Sequence, residues 1–141
     1  MIVYFDTSSA IKRYVEEDGS AAVRELIRTA EALASSALLH VELRAALARM
    51  LKSARIMASE HEAAKSNIER DWMNLVSIPV NEPVLTLAAE LAERRFLKSL
   101  DAIHLASALT LHQREEVAMS SWDRALLDAA EAEGMQVVEI D

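Results

Sequence analysis

Four acids stand where an apolar run gives way to a helix. Asp6 directly follows Ile2–Phe5, and Glu42 lies in the first turn of a helix after a second apolar segment. Asp101 begins the apolar helix Ala102–His112, and Asp123 follows the short run Val117–Met119. In an open parallel sheet the carboxyl ends of the strands share one edge, and ligands bind there. On that reading four carboxylates converge in one cleft. Clustered carboxylates repel, so without a cation at least one has a raised pKa. A hard divalent cation relieves this. Mg²⁺ prefers oxygen ligands, keeps several waters and takes one or two carboxylates directly. It activates water and stabilises charge on a transferring phosphoryl group, and nearby helix N-termini add partial positive charge. Metal-dependent phosphodiester hydrolysis is the reaction this pattern suits. Each acid also has a plain structural reading. Asp at a helix start is commonly a cap, and Glu42 in a first turn favours the helix dipole while lying at the solvated edge of its helix.

The elements that must position these acids alternate between strand and helix. Ile2–Phe5 is apolar, β-branched and aromatic, and reads as a buried strand. Asp6, Thr7, Ser8 and Ser9 are all good N-cap types, and a helix follows to about Glu17. Asp18-Gly19-Ser20 breaks it, and Ala21 to about Ala32 forms a second helix. Leu33–Leu38 is a short strand or an extended entry segment; its periodicity does not decide. His40–Met57 is a long helix with Leu43, Leu47, Met50, Leu51, Ala54 and Met57 on one arc. Ser59 with Glu62 is a capping-box pattern that opens a helix to about Met73. Leu75–Val80 reads as a strand, and Asn81-Glu82-Pro83 opens a helix that ends near Lys98. Asp101 caps a helix through His112. Val117–Met119 is a brief strand, Ser120 with Asp123 opens a helix to Glu133, Gly134 ends it, and Met135–Ile140 closes the chain as a strand. This alternation predicts one helix-rich α/β domain over residues 1–141, a sandwich with a mainly parallel central sheet.

Composition bounds the alternatives. The chain has 141 residues, no cysteine, two glycines, two prolines and 25 alanines. Helix is favoured, long irregular loops are not, and disorder, collagen-like repeats, a disulfide scaffold and thiol chemistry are excluded. The N-terminus has no basic region or long apolar run, so it does not read as a signal peptide. The longest uncharged stretch, Ala102–Gln113, is twelve residues with two histidines, too short and polar for a bilayer. A soluble cytoplasmic protein is expected. Net charge is −8, yet residues 115–141 hold eight acids and one base against fifteen acids and fourteen bases before them. The negative charge is therefore a C-terminal property, and the whole-chain balance does not exclude a polyanionic partner.

Two segments, Val3-Tyr4-Phe5-Asp6-Thr7-Ser8-Ser9-Ala10-Ile11-Lys12 and Leu100-Asp101-Ala102-Ile103-His104-Leu105-Ala106-Ser107-Ala108-Leu109, resemble the hallmark segments of PIN-domain nucleases. More narrowly, they resemble VapC-type toxins of bacterial and archaeal toxin–antitoxin pairs. His40-Val41-Glu42-Leu43-Arg44 is similar to the family's central acidic segment, and Ser121-Trp122-Asp123-Arg124-Ala125-Leu126 to its last. The resemblance spans the chain in motif order and spacing. It implies a three-layer α/β/α sandwich and an endoribonuclease that uses Mg²⁺ or Mn²⁺. It further implies that Asp6 and Asp101 are the main metal ligands, that Asp123 completes the site directly or through water, and that Glu42 positions water at the metal. Ser121 stands where the family often has threonine and Trp122 where it often has phenylalanine. A VapB-like antitoxin, an RNA substrate (tRNA, rRNA or mRNA) and a homodimer are the implied partners.

Other residues have competing readings. Arg44, Arg49, Lys52 and Arg55 form a basic face, and Lys12, Arg13 and Arg124 are basic residues nearer the acids. With Ser121, Lys12 and Arg44 are candidate substrate contacts, since phosphate contacts supply affinity rather than sequence choice. A solvated helix face and a docking surface for an acidic partner are the alternatives. His104, three residues after Asp101, shares its helical face; a satisfied, partly buried histidine is the bland reading. His61-Glu62 begins like a zinc-protease motif, but Lys65 stands where the second histidine belongs. Trp72, Met73, Leu75 and Val76 are core or a dimer contact. Two other functions fit the same elements: a phosphatase or phosphotransferase with Asp6 as nucleophile, weakened by Ser8 where such enzymes carry a second Asp, and a non-catalytic binding module.

Overall fold

The computed structural model describes residues 1–139. Five strands form one sheet: β1 (Ile2–Phe5), β2 (Ala32–Ser36), β3 (Val76–Ile78), β4 (Val117–Ser120) and β5 (Gln136–Val137). Their order across the sheet is β3-β2-β1-β4-β5, and each neighbouring pair is parallel. The seven helices described are α1 (Thr7–Tyr14), α2 (Ser20–Thr29), α3 (Leu39–Lys52), α4 (Ala58–Trp72), α5 (Glu82–Arg95), α6 (Ser99–His112) and α7 (Arg124–Ala132). The expected parallel α/β sandwich is the architecture found.

Strand side chains alternate between faces, and β1 shows the consequence. Val3 and Phe5 join one core with Ala10, Val23, Leu43, Leu47 and Ile68 from α1 to α4. Tyr4 joins the other with Val84, Leu91, Leu105, Leu126 and Leu127 from α5 to α7. A two-sided core explains why β1 and β4 read as unbroken apolar runs rather than alternating ones.

Several boundaries differ from the sequence reading. Helix α1 ends at Tyr14 rather than Glu17, and residues 33–36 of the undecided segment are strand. Helix α3 stops at Lys52 because Ala54 turns left-handed (φ 60°) and Arg55 N–H reaches back to Met50 O (2.9 Å). Leu51 and Met57, placed on the apolar arc, are therefore exposed. The expected Ser59–Glu62 cap is shifted by two residues: Met57 N–H donates to Glu60 Oε1 (2.9 Å). Helix α5 ends three residues early, with Phe96 left-handed at its C-terminus (φ 56°). Of the closing strand Met135–Ile140, only Gln136–Val137 pairs, and Ile140 lies outside the described residues. The Trp72–Val76 group divides, Trp72 and Leu75 packing on the core while Met73 and Val76 are exposed. No described helix is long and apolar enough to cross a membrane.

Candidate active site

The β1–β4 pairing brings the two central acids together. Phe5 pairs with Ser120, so the residues after each strand leave the sheet side by side. Asp6 caps α1: its Oδ1 accepts from Ser9 N (3.0 Å). It is 4 % exposed, and both oxygens are held by hydroxyls. Ser8 Oγ lies 2.8 Å from Oδ1 and 3.0 Å from Oδ2, and Ser121 Oγ donates to Oδ2 at 2.7 Å. Burial pushes the Asp6 carboxyl above the usual carboxylate range, and the Ser121 and Ser8 hydrogen bonds oppose that rise.

Asp123 lies on the same loop as Ser121. It caps α7 through Oδ1, which accepts from Ala125 N (2.9 Å) and Leu126 N (3.3 Å). The expected pairing of Ser120 with Asp123 as a capping box does not form; Asp123 is itself the cap, and Ser120 Oγ bonds to Ser9 Oγ (2.6 Å) instead. Asp101 is a second correction. The cap position of α6 is Lys98, and Asp101 sits inside the first turn with its carboxylate not spent on capping. Burial first, then the charges of Asp123 and Asp6, push the Asp101 carboxyl up. Asp101 thus lies within the field of the acids that follow β1 and β4.

Glu42 enters from α3, on the opposite layer from α6. Its Oε1 meets His104 Nε2 at 2.7 Å, and the side chain is 17 % exposed. His104 is buried and satisfied, as the bland reading held, but it also joins two site elements, since its Nδ1 meets the Tyr4 hydroxyl at 2.8 Å. Ser8, Tyr4 and His104 were legible only as cap, core and neighbour, because the partners that tie them across the site lie 62 to 114 residues away.

The basic residues are engaged elsewhere. Lys12 is buried, bonded to Glu17 Oε1 (3.0 Å) and Asp18 O (2.7 Å), and stands 4.6 Å from the Trp122 ring centroid. Arg13 pairs with Asp71. Arg44 pairs with Glu69 on α4 (3.0 Å), and Arg55 reaches Glu17 (3.7 Å). The structure therefore brings Asp6, Ser121, Asp101, Asp123 and Glu42 to one edge, and turns Lys12 and Arg44 toward other acids. No three His, Asp or Glu side chains among the described residues close on a single point at ligating distance.

Comparison with known proteins decides the family. The family model described as PIN domain matches residues 3–132. Ribonuclease VapC45 of Mycobacterium tuberculosis is 35 % identical over 136 residues, 96 % of this chain and 94 % of that protein. This chain belongs to the PIN-domain family, among the VapC ribonucleases. The solved fold agrees. The structure of VapC20 from Mycobacterium tuberculosis, described as a sarcin-ricin loop cleaving toxin, aligns with a TM-score of 0.69 at 17 % identity, over 98 % of each chain. VapBC2 from Rickettsia felis, bound to a DNA fragment from its promoter, aligns with a TM-score of 0.67 at 14 % identity over 100 % of each chain. The PIN-like α/β/α sandwich implied by the motifs is thus the fold of this chain.

Proposed function

We propose that residues 1–141 form one PIN-like domain that acts as a Mg²⁺-dependent endoribonuclease, with Mn²⁺ an alternative ion, and as the toxin of a VapBC-type pair. The observation that carries this reading is the group Asp6, Asp101 and Asp123 at the carboxyl edge of a parallel sheet. Burial raises the carboxyls of Asp6 and Asp101, the charges of Asp123 and Asp6 add to the rise at Asp101, and the basic side chains Lys12, Arg13 and Arg44 are paired with other acids. An all-oxygen donor set of this kind fits a hard divalent cation. When bound, such a cation makes water a better nucleophile near neutral pH and offsets charge building on the phosphate.

The chain's own residues divide the remaining work. Asp6 and Asp101 would hold the ion, and Asp123, with Oδ1 spent on its helix, would contribute Oδ2 directly or through water. With Asp123 acting through water, two side chains would ligate directly, as Mg²⁺ sites commonly require. Ser121 and Ser8 orient the Asp6 oxygens and favour their ionised form. Glu42 accepts a hydrogen bond from the attacking water and orients it toward phosphorus. The water oxygen bonds to phosphorus as the P–O bond to the leaving oxygen breaks; the attacking water gives its proton to solvent, and the leaving oxygen takes one from solvent. Lys12 stacks on the Trp122 ring beside the loop that carries Ser121 and Asp123, and Arg44 is paired with Glu69.

RNA is the substrate class, drawn from tRNA, rRNA or mRNA. Single-stranded or looped segments are the expected targets, since their bases can be splayed and read. Relatives named as ribonucleases support this, and the VapBC2 complex among the structural neighbours supports a VapB-like antitoxin as partner. A homodimer in the cytoplasm completes the proposal. The aspartyl-phosphate alternative draws no support from the geometry, because Ser8, at the place where such enzymes carry a second Asp, only hydrogen-bonds to the Asp6 oxygens.

The test compares the chain with Asp6→Asn and Asp101→Asn on total cellular RNA, with Mg²⁺ and with EDTA, followed by mapping of fragment ends. Discrete cuts that need Mg²⁺ and vanish in both variants are expected. A folded protein, freed of any co-purified partner, that makes no cuts would overturn the reading.

A further inference from the structure

His104 is 2 % exposed, yet both ring nitrogens meet a polar partner. Nδ1 lies 2.8 Å from the Tyr4 hydroxyl, and Nε2 lies 2.7 Å from Glu42 Oε1, with Thr7 Oγ1 at a longer 3.5 Å. The chain of contacts starts on β1, passes through α6 and ends on α3, so it ties both helical layers together across the sheet edge. The Tyr4 and His104 rings also pack edge to face, with centroids 5.9 Å apart.

The direction of the hydrogens follows from the donors. Tyr4 is fully buried, and a tyrosine hydroxyl ordinarily titrates at about 10, so it keeps its hydrogen at neutral pH. The Glu42 carboxylate only accepts, so the ring hydrogen belongs on Nε2, and Nδ1 of the neutral ring accepts from the Tyr4 hydroxyl. An imidazole tautomer is set by the bond its other nitrogen makes. A carboxylate receiving this N–H is confined to one rotamer. No hydrogen bond among the described residues engages Glu42 Oε2, so one oxygen is anchored and the other is free.

We propose that His104, set in its tautomer by Tyr4, is a positioning residue for RNA cleavage. It donates Nε2–H to Glu42 Oε1 and so presents Oε2 as a fixed acceptor for the attacking water. This rests on the ribonuclease reading above and adds to it a residue that touches neither metal nor substrate.

The experiment uses the full chain and an RNA oligonucleotide spanning one mapped cut, with Mg²⁺. His104→Leu is expected to lower kcat roughly 10–100-fold, the usual effect of losing a partner that orients a site residue, with KM little changed. His104→Gln, whose amide N–H takes the place of Nε2–H, is expected to recover most of the loss. Added to Glu42→Gln, His104→Leu should cost nothing further, because the two act as one unit. Nitrogen NMR of the metal-free wild type should show His104 protonated at Nε2 and bare at Nδ1. The proposal is overturned by a neutral ring protonated at Nδ1, by His104→Gln being no better than His104→Leu, or by an undiminished loss in the Glu42→Gln background. If the wild type cuts no RNA, the ribonuclease reading fails, and the NMR result alone still decides whether His104 donates to Glu42.

Discussion

Ser121 Oγ donates to Asp6 Oδ2 at 2.7 Å across 115 residues of sequence. Ser8 completes the link, since its Oγ bonds to Asp6 and also accepts Trp122 N–H at 2.8 Å. The loop after β4 is thereby hooked onto the loop after β1, with a buried carboxylate at the junction. Ser121→Ala removes the largest influence opposing the rise of the Asp6 carboxyl. Asp6 then titrates at still higher pH, so less of it is ionised in mildly acidic solution. The acid limb of the pH–rate profile is expected to move upward, with activity there falling roughly tenfold or more. Ser121→Thr, which keeps the hydroxyl, should leave the profile in place.

Asp101 supplies a stability test independent of catalysis. Its folded-state carboxyl is raised by burial and by Asp123 and Asp6. A raised carboxyl means the folded chain binds the proton more tightly than the unfolded chain. Stability from this group is therefore greatest below the ordinary aspartate value and is lost as pH rises through the folded value. At pH 7 in EDTA the full cost is present. Asp101→Asn should melt at a higher temperature than the wild type there, and the gap should close below about pH 4, near the ordinary aspartate value.

Divalent cations should reverse that order. An ion that binds the folded chain alone stabilises it by mass action, about 2.7 kcal/mol at a hundred times Kd. Titrating Mg²⁺ should raise the wild-type Tm and leave that of Asp101→Asn nearly unchanged. Equal shifts in both proteins would place the ion elsewhere.

On the proposed reading Asp123 has two tasks, a cap through Oδ1 and a metal contact through Oδ2, and two substitutions separate them. Asparagine caps a helix about as well as aspartate, whereas alanine costs roughly 1 kcal/mol. Asp123→Asn should keep the wild-type denaturant midpoint and lose cleavage. Asp123→Ala should lose both.

Gly19 is held against Trp122 by conformation and by space. Its φ is +91°, and a Cβ there would overlap the indole ring. Lys12 stacks on the same ring, so the Trp122 wall beside the acids is clamped by residues from the α1–α2 region. Gly19→Ala should destabilise the chain by about 1–3 kcal/mol, read from urea unfolding, and disturb cleavage through the displaced Ser121–Asp123 loop.

Much of the molecule was legible in local pattern. The apolar runs at β1 and β4, the break at Asp18-Gly19-Ser20 and the turn at Gly134 mark elements by residue type alone. The positions of Asp6, Glu42, Asp101 and Asp123 after strands or in first turns placed them near one edge, because parallel strands share a direction. Boundaries failed where periodicity outlasted the helix, as at Leu51–Met57, since a hydrophobic arc persists in sequence after the backbone has turned at Ala54.

What the sequence determined by itself was the order of elements and the set of acids, both consequences of side-chain type at short range. Which of those acids keeps a free oxygen was decided only by the tertiary structure. Asp6 and Asp123 both cap helices, Asp101 does not, and Glu42 is held by a histidine 62 residues away. The fates of Lys12 and Arg44 were settled in the same way, by Glu17, Trp122 and Glu69. A hydrogen bond or ion pair acts over about 3 Å, and it is the folding of the chain that brings residues a hundred positions apart within that distance.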